Sequence, residues 1–296
     1  MTWQWVRKLD PELDRHLRQS QTLSTELTTG WDKTIAGYSQ TLKRDVTVED
    51  VIRAVESGDP AGILDRMDWT AASNLFVVES ASLMAQALER AGKLELEHMR
   101  LTMKFDLQNP YVYQWIDTHT AELVVQIGDE TRKAIKSVIR NAFETGVHPY
   151  QSAKAIKEMV GLTERDANTA LKYWKTVAMD GTRSVSAANK MAETYEKKLL
   201  RRRAENIART ETINAASRGS QYAWEEARAE GLLLSMSMQE WIAAVDSPRT
   251  CPRCLAMDGQ KVPIGEPFQS DAGLISGPTL HPSCRCAVAL VTEIPK

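Results

Sequence analysis

Cysteine is absent from the first 250 residues of this chain, and its four cysteines all lie in the last 46 residues. Long apolar runs are absent as well, since none approaches the roughly 18–20 residues that a membrane-spanning helix needs. The N-terminal segment lacks the continuous apolar stretch of a secretory signal. A net charge of only −2 gives no general attraction to nucleic acid or to an anionic membrane. These absences favour a protein that folds in a cytoplasm, where thiols stay reduced and clustered cysteines more often bind metal than pair.

Glycine and proline are sparse along most of the chain, so few positions break a helix. Asn109 as N-cap and Pro110 at the first helical position predict the start of one or two helices that end at Gly146. Another long helix is predicted over residues 186–230, and it stops at Gly231. Most of the chain is therefore expected to be helical.

The pattern changes after this long helix. Residues 234–241 alternate apolar and polar side chains, which is the period of a strand, and residues 286–291 are a second strand candidate. We therefore predict a mainly α-helical body with a small C-terminal α+β module of short strands. The predicted division is an N-terminal helical region 1–108, a helical region 109–231 and a C-terminal module 232–296.

The four cysteines form two close pairs with a histidine beside the second pair. Cys251 and Cys254 have the spacing C-x2-C, Cys284 and Cys286 have C-x-C, and His281 lies three residues before Cys284. Residues i and i+2 of a strand point to the same face, so both members of the second pair could reach one ion. We predict one structural Zn²⁺ bound by four of these five side chains. It would stabilise a small module that has few large apolar residues. Two disulfides built from the same cysteines are the alternative.

A catalytic metal would keep one coordination position open and would need an acid or base nearby. The nearest acidic residues in the sequence are Asp246, Asp258 and Glu266. Acidic residues in loops are usually only solvated, and neither H-E-x-x-H nor the H-x-E with P-C-x-x-C of zinc deaminases is present. We therefore favour a structural metal.

Four motifs follow one another in the C-terminal part of the chain. They are RAENIARTETINAASRGSQYA at 203–223, WIAAVDSPRTCPRC at 241–254, MDGQKVPIGEPF at 257–268 and GPTLHPSCRC at 277–286. In order and spacing they resemble the minor head proteins of tailed bacteriophages, the group named after protein F of phage Mu and also called phage head morphogenesis proteins. Residues 146–167 resemble the helical segment that leads into these motifs, so the resemblance covers roughly residues 110–291.

This resemblance implies a virion component that joins the procapsid in few copies and acts in head assembly, with some relatives affecting DNA retention or delivery. The partners it implies are the portal protein, scaffold or major capsid protein, and packaged double-stranded DNA is a further candidate; no membrane is expected. The location it implies is the capsid interior or the portal vertex, after assembly in the host cytoplasm. Region 1–108 is a candidate for docking to the portal or capsid.

A basic stretch is the candidate surface for DNA or for an acidic portal face. Residues 181–203 hold seven basic and two acidic side chains. On a helix, four of the basic residues lie near one face and a fifth lies beside it. These five are Lys197, Lys198, Arg201, Arg202 and Arg203. Because charge runs usually mark a solvated helix face, we favour that interpretation over binding.

Two rival functions use the same residues. A metal-dependent nuclease or other nucleic-acid hydrolase would need an open metal position and a convergent acid or base, with Asp258 and His281 as the residues to test. A zinc-containing DNA-binding protein would need more than a small basic patch without a recognition helix. Arg209 and Glu211 are considered for pinning the long helix to the metal module, and equally for an exposed helix pair. We expect a binding protein and not an enzyme.

Overall fold

A computed structural model describes residues 11–180, 182–245 and 250–291. Most of these residues are helical, and short strands occur only towards the C-terminal end of the described chain. The helices are α1 Pro11–Lys43, α2 Val48–Ser57, α3 Ala61–Arg66, α4 Trp69–His98, α5 Pro110–Glu144, α6 Pro149–Glu158, α7 Glu164–Met179, α8 Val185–Ala229 and α9 Pro252–Met257. The strands are β1 Met238–Ile242, β2 Lys261–Pro263, β3 Phe268–Ser270, β4 Gly273–Ile275 and β5 Ala287–Val291. The predicted fold class is confirmed.

Local sequence signals set the ends of the long helices. The Asn109 side chain accepts a hydrogen bond from the Tyr111 backbone N–H at 3.0 Å, and α5 begins at Pro110 as predicted. Helix α8 spans Val185–Ala229, within one residue of the predicted range at each end, and Gly231 follows it with a φ of 72°. A left-handed residue just past the last turn is the usual end of a helix, because glycine adopts it without strain.

The described residues form two compact units, each assembled from separate parts of the sequence. The first unit takes its described residues from 1–30, 81–116 and 206–296, and the second from 31–80 and 117–205. Helices α1, α4, α5 and α8 each contribute segments to both units. The division at residues 108 and 231 stays a prediction.

Buried polar contacts between distant segments hold the second unit together. The Ser39 hydroxyl donates to the Val160 carbonyl at 2.6 Å. The Arg203 side chain is only 5% exposed; it donates to the Gly161 carbonyl and, at 2.8 Å, to the Glu130 carboxylate. A buried guanidinium is tolerated when a carboxylate balances its charge and acceptors satisfy its terminal N–H groups, as they do here for Nη1 and Nη2. Arg203 therefore fixes α8 against the loop between α6 and α7.

The strands of the first unit form a small sheet and a hairpin. Strand β1 lies between β2 and β5, antiparallel to both, and β3 pairs with β4. The predicted strand 234–241 is confirmed only from Met238 onward, because the Ser237 N–H bonds to the Leu234 carbonyl at 3.0 Å and closes a turn there. The predicted second strand begins one residue late, at Ala287.

An apolar core lies beneath this sheet. Trp224 from α8 packs with Trp241 from β1, Phe268 from β3 and the buried cysteines. Leu17 from α1 packs with Ile242 and neighbouring alanines in a second, smaller cluster. The module thus buries several large side chains together with its thiols. Among the described residues, no helix has a segment long and apolar enough to cross a membrane.

Candidate metal centre

The start of α9 builds the first cysteine pair. Cys251 is the N-cap of this helix, and its Sγ accepts a hydrogen bond from the Cys254 backbone N–H at 3.4 Å. Pro252 occupies the first helical position, where its missing N–H leaves no bond unmade. Cys254 is buried and Cys251 is half-buried. The start of α9 therefore places the sulfurs of Cys251 and Cys254 close together.

The second pair lies in the segment that leads into β5. The Cys284 N–H bonds to the His281 carbonyl at 3.1 Å, which closes a turn, and Cys286 directly precedes the first residue of β5. The expectation that Cys284 and Cys286 sit on a strand is therefore wrong: both lie in irregular chain before the ladder begins. Both are nevertheless buried, and their sulfurs both lie within 4.8 Å of the Cys254 sulfur.

All five predicted side chains converge on one place. They fall into two groups that share Cys254, one with Cys251 and His281 and the other with Cys284 and Cys286. The Cys254 Sγ lies 3.0 Å from His281 Nε2 and 3.7 Å from Cys284 Sγ. Two sulfurs bound to one tetrahedral Zn²⁺ at about 2.3 Å lie about 3.8 Å apart. All four cysteines are free thiols. The cluster could hold a metal ion, and its spacing fits such an ion better than it fits bonded sulfur pairs.

The imidazole of His281 is oriented as a ligand. Its Nδ1 lies 2.9 Å from the Pro282 carbonyl oxygen, which accepts the Nδ1–H. The other nitrogen, Nε2, then carries the lone pair and lies 3.1 Å from the Cys251 sulfur. A hydrogen bond from the far ring nitrogen is the usual way in which proteins orient a metal-binding histidine.

The thiols influence one another's protonation. The pKa of Cys284 is lowered, chiefly because Cys254 and then Cys286 donate hydrogen bonds to its sulfur. The pKa of Cys254 is raised, chiefly because its thiol hydrogen-bonds to Cys284 and then to Cys286, and also because it is buried. Burial alone would raise the pKa of Cys251, but the Cys254 N–H and the nearby His281 outweigh it and lower the value. The cluster therefore favours thiolate character on some of its sulfurs, which is the form that binds metal.

Helix α8 positions the histidine loop, which is the segment 281–283 that carries His281. The Ser283 backbone N–H donates to Thr210 Oγ1 at 2.9 Å, and the Ser283 hydroxyl donates to Asn206 Oδ1 at 2.8 Å. These two acceptors belong to the motif RAENIARTE and are one helical turn apart. Sequence reasoning missed both, although their i, i+4 spacing within the motif was the available signal. The pinning role considered for Arg209 and Glu211 stays a prediction.

Of the three acidic residues weighed for catalysis, the two that the structure describes take no part in the cluster. Asp258 accepts a hydrogen bond from the Ala243 backbone N–H at 2.9 Å, which connects the end of α9 to the residue directly after β1. Glu266 is exposed, and Asp246 lies outside the described residues. Within residues 11–180, 182–245 and 250–291, the groups that could hold a metal contain only cysteine and histidine.

The five basic residues predicted as a DNA or partner surface lie on α8 and are largely paired. Four of them have a carboxylate partner, and the fifth, Lys198, is exposed. The pairs are Lys197 with Glu193, Arg201 with Glu205, Arg202 with Asp166 and Arg203 with Glu130. Pairing and burial remove much of the local positive charge that the sequence predicts. A binding role for these five residues stays a prediction.

The comparison with known families covers this same region. The family model described as Phage Mu protein F like protein matches residues 133–289, just over half of the chain. The match includes the motif helix, the Cys/His cluster and the strands around it, and it confirms the resemblance stated from the sequence. Neither a curated protein nor a solved structure matches the chain. The chain therefore belongs to the Phage Mu protein F like family, a family of phage head morphogenesis proteins.

Proposed function

We propose that this chain is a minor capsid protein of a tailed phage or prophage that acts in procapsid assembly at or near the portal. The observation that carries the proposal is the family match over residues 133–289, which spans both the motif helix and the Cys/His cluster. A phage head family implies a virion component with capsid-related partners. The specific partners proposed are the portal protein, scaffold or major capsid protein.

The proposed cofactor is one Zn²⁺ held by four of the five clustered side chains. Thiolate and imidazole donors in a tetrahedral arrangement suit zinc better than the hard cations, which prefer oxygen. The proposed role of the ion is structural, since four protein ligands would close its coordination shell. It would tie α9 to the loop before β5, and through Asn206 and Thr210 this loop is also tied to α8.

Binding and not catalysis is the proposed mode of action. The rival hydrolase needs an open metal position with an acid or base beside it. The carboxylate of Asp258 already accepts from the Ala243 N–H, and the clustered donors are thiols and one imidazole. Contact with packaged DNA or delivery with it stays a prediction.

Metal content tests the zinc part of the proposal. Protein purified without added metal is expected to carry about one zinc per chain, with thiols that react only after chelation and denaturation. Cys254→Ser removes the sulfur common to both groups and is expected to leave less than about a tenth of the zinc. Leu274→Ser, at an exposed position of the same module, is the matched control and should keep its zinc. No metal together with no free thiols would contradict the zinc site.

Virion composition tests the assembly part. Procapsids from a phage carrying the wild-type chain should contain it in few copies, and pull-down with the portal protein should recover both. Cys254→Ser should lower incorporation at least several-fold, whereas Leu274→Ser should not. Heads that assemble normally and lack the chain altogether would refute the assembly role.

A further inference from the structure

A cavity of about 470 Å³ lies in the first unit, between the beginning of α1 and the end of α4. Its volume is within the range of sites that hold a ligand. Leu23 and Leu94 supply an apolar part of the wall, and Gln19 lies among the polar residues that complete it. None of the residues of the metal centre lines it.

The described wall of this cavity carries three guanidinium groups and one carboxylate. Arg18 pairs with Asp14 on its own helix, and Arg90 pairs with Glu26. Arg15 differs, because its Nη2 donates to His16 Nε2 at 3.2 Å, a ring nitrogen and not a carboxylate.

The other ring nitrogen of His16 contacts a buried carboxylate. His16 Nδ1 lies 3.0 Å from the Glu95 carboxylate, which also accepts from the Trp224 indole N–H at 3.2 Å. The contact with His16 therefore connects the Arg15 side chain to buried residues of the first unit. Among the side chains that the structure describes, Arg15 is the guanidinium of this wall with no carboxylate in direct contact, and its charge acts on Glu95 only from a distance.

Two polar atoms of the wall residues are buried without a hydrogen-bond partner among the described residues. They are Arg15 Nε, a donor, and Gln19 Oε1, an acceptor. The two residues are four positions apart on α1 and so lie on the same face of the helix. Buried polar atoms in native proteins nearly always have partners, so an unmatched donor and acceptor beside one cavity indicate a ligand that supplies both.

We infer that this cavity binds an acidic peptide segment of a partner protein, with a carboxylate accepting from Arg15 and a backbone N–H donating to Gln19. A peptide carries both groups within reach of each other, and its aliphatic parts fit against Leu23 and Leu94. A phosphodiester chain offers acceptors but no backbone donor, so it would leave Gln19 unmatched. That the partner is another head protein rests on the function proposed above; the peptide specificity of the cavity does not.

A binding assay on the full chain tests this inference. The probe is a fluorescent acidic pentapeptide with two carboxylates and an amidated C-terminus, and its counterpart has both carboxylates replaced by amides. The acidic peptide is expected to bind saturably and at least about 10-fold more tightly than the amide peptide, as charge-assisted hydrogen bonds predict. Arg15→Met should weaken binding about 10–100-fold, and Gln19→Leu about 5–10-fold. Arg165→Met, the same change at an exposed position of the second unit, should leave binding unchanged.

Competition and mapping complete the test. Inorganic phosphate and a short DNA duplex should not displace the peptide when each is added at the same concentration of negative charge as the peptide. Photo-crosslinks from the peptide to the wild-type chain should fall within residues 11–23 or 90–98. No binding of the acidic peptide at millimolar concentration, displacement by the duplex, crosslinks elsewhere, or an equal loss in Arg165→Met would overturn the inference. If Arg15→Met does not fold, Gln19→Leu and the wild-type crosslinks decide. A chain that binds the peptide but never enters heads would contradict only the proposed function.

Discussion

At the scale of single residues, the buried carboxyl of Glu196 creates a pH dependence that the metal centre does not explain. Burial, and after it the negative charge of Glu158, raises the pKa of Glu196 from 4.5 to about 8, against the opposing charge of Lys43. Both carboxyl oxygens are buried without a hydrogen-bond partner in the described chain. Between these two pH values the native chain holds a proton that the unfolded chain has lost. The free energy of unfolding therefore falls as pH rises from 4.5 towards 8.

Glu196→Gln is expected to remove this dependence. The amide stays neutral, so the variant should exceed the wild type in stability by on the order of 1–3 kcal/mol at pH 8 and should show no gain at pH 4. Denaturant unfolding of both proteins across this pH range measures the difference. Glu193→Gln, which removes a surface partner of Lys197, should shift stability by no more than about 0.5 kcal/mol. A stability difference for Glu196→Gln that is the same at both pH values would contradict the argument.

At the scale of elements, helix α8 positions the histidine loop through a hydrogen bond to Thr210, and a substitution of this threonine tests that contact alone. Thr210→Val leaves the Ser283 N–H without its acceptor, and we expect a loss of about 10-fold in zinc affinity, as for other residues that orient metal ligands. Thr194→Val is a matched control on the same helix. Both threonines donate to the carbonyl four residues earlier, but Thr194 is exposed. Competition with a chromogenic chelator measures the affinity, and equal values for the two variants would show that the contact does not matter.

A second property of α8 is its close approach to α4 within the first unit. A Cβ added at Gly219 would lie 2.1 Å from the Leu88 carbonyl oxygen, a backbone atom that cannot rotate away. Gly219→Ala should therefore lower stability by more than about 2 kcal/mol. A Cβ at Gly62 in α3 meets nothing within 4 Å, so Gly62→Ala should raise stability by about 0.5–1 kcal/mol. Thermal unfolding of the two variants in parallel distinguishes them, and changes of the same sign would contradict the packing argument.

The helices and strands also show which parts of the fold and of the metal centre could be predicted from the sequence. Helix ends at Pro110 and near Gly231 could be predicted because caps and glycines act within a few residues. The convergence of the cysteines with His281 could be predicted because ligand spacing is local chemistry. The Asn206 and Thr210 contacts could not, since they reach a loop more than 70 residues away and polar helix residues do not reveal which face is covered. The early strand prediction failed because residues 234–237 close a turn, which their alternation of apolar and polar side chains does not reveal.

At the scale of the whole molecule, the metal is expected to matter for one unit and not for the other. All five candidate ligands belong to the first unit, as do the sheet and the core around Trp224. The second unit has its own apolar core and its own ion pair between the buried Arg203 and the partly exposed Glu130.

Chelation should therefore unfold the chain unevenly. Hydrogen exchange before and after metal removal should show lost protection in residues 238–245 and 250–291, since metal binding contributes directly to the folding of small modules. Residues 117–180 should keep their protection, because none of their contacts depends on the ligands. Cys254→Ser should reproduce the chelated pattern without a chelator, which separates metal loss from any direct effect of the reagent. Uniform loss of protection over both units would mean that they fold as one cooperative body, and no loss in either would mean that the cluster holds its shape without metal.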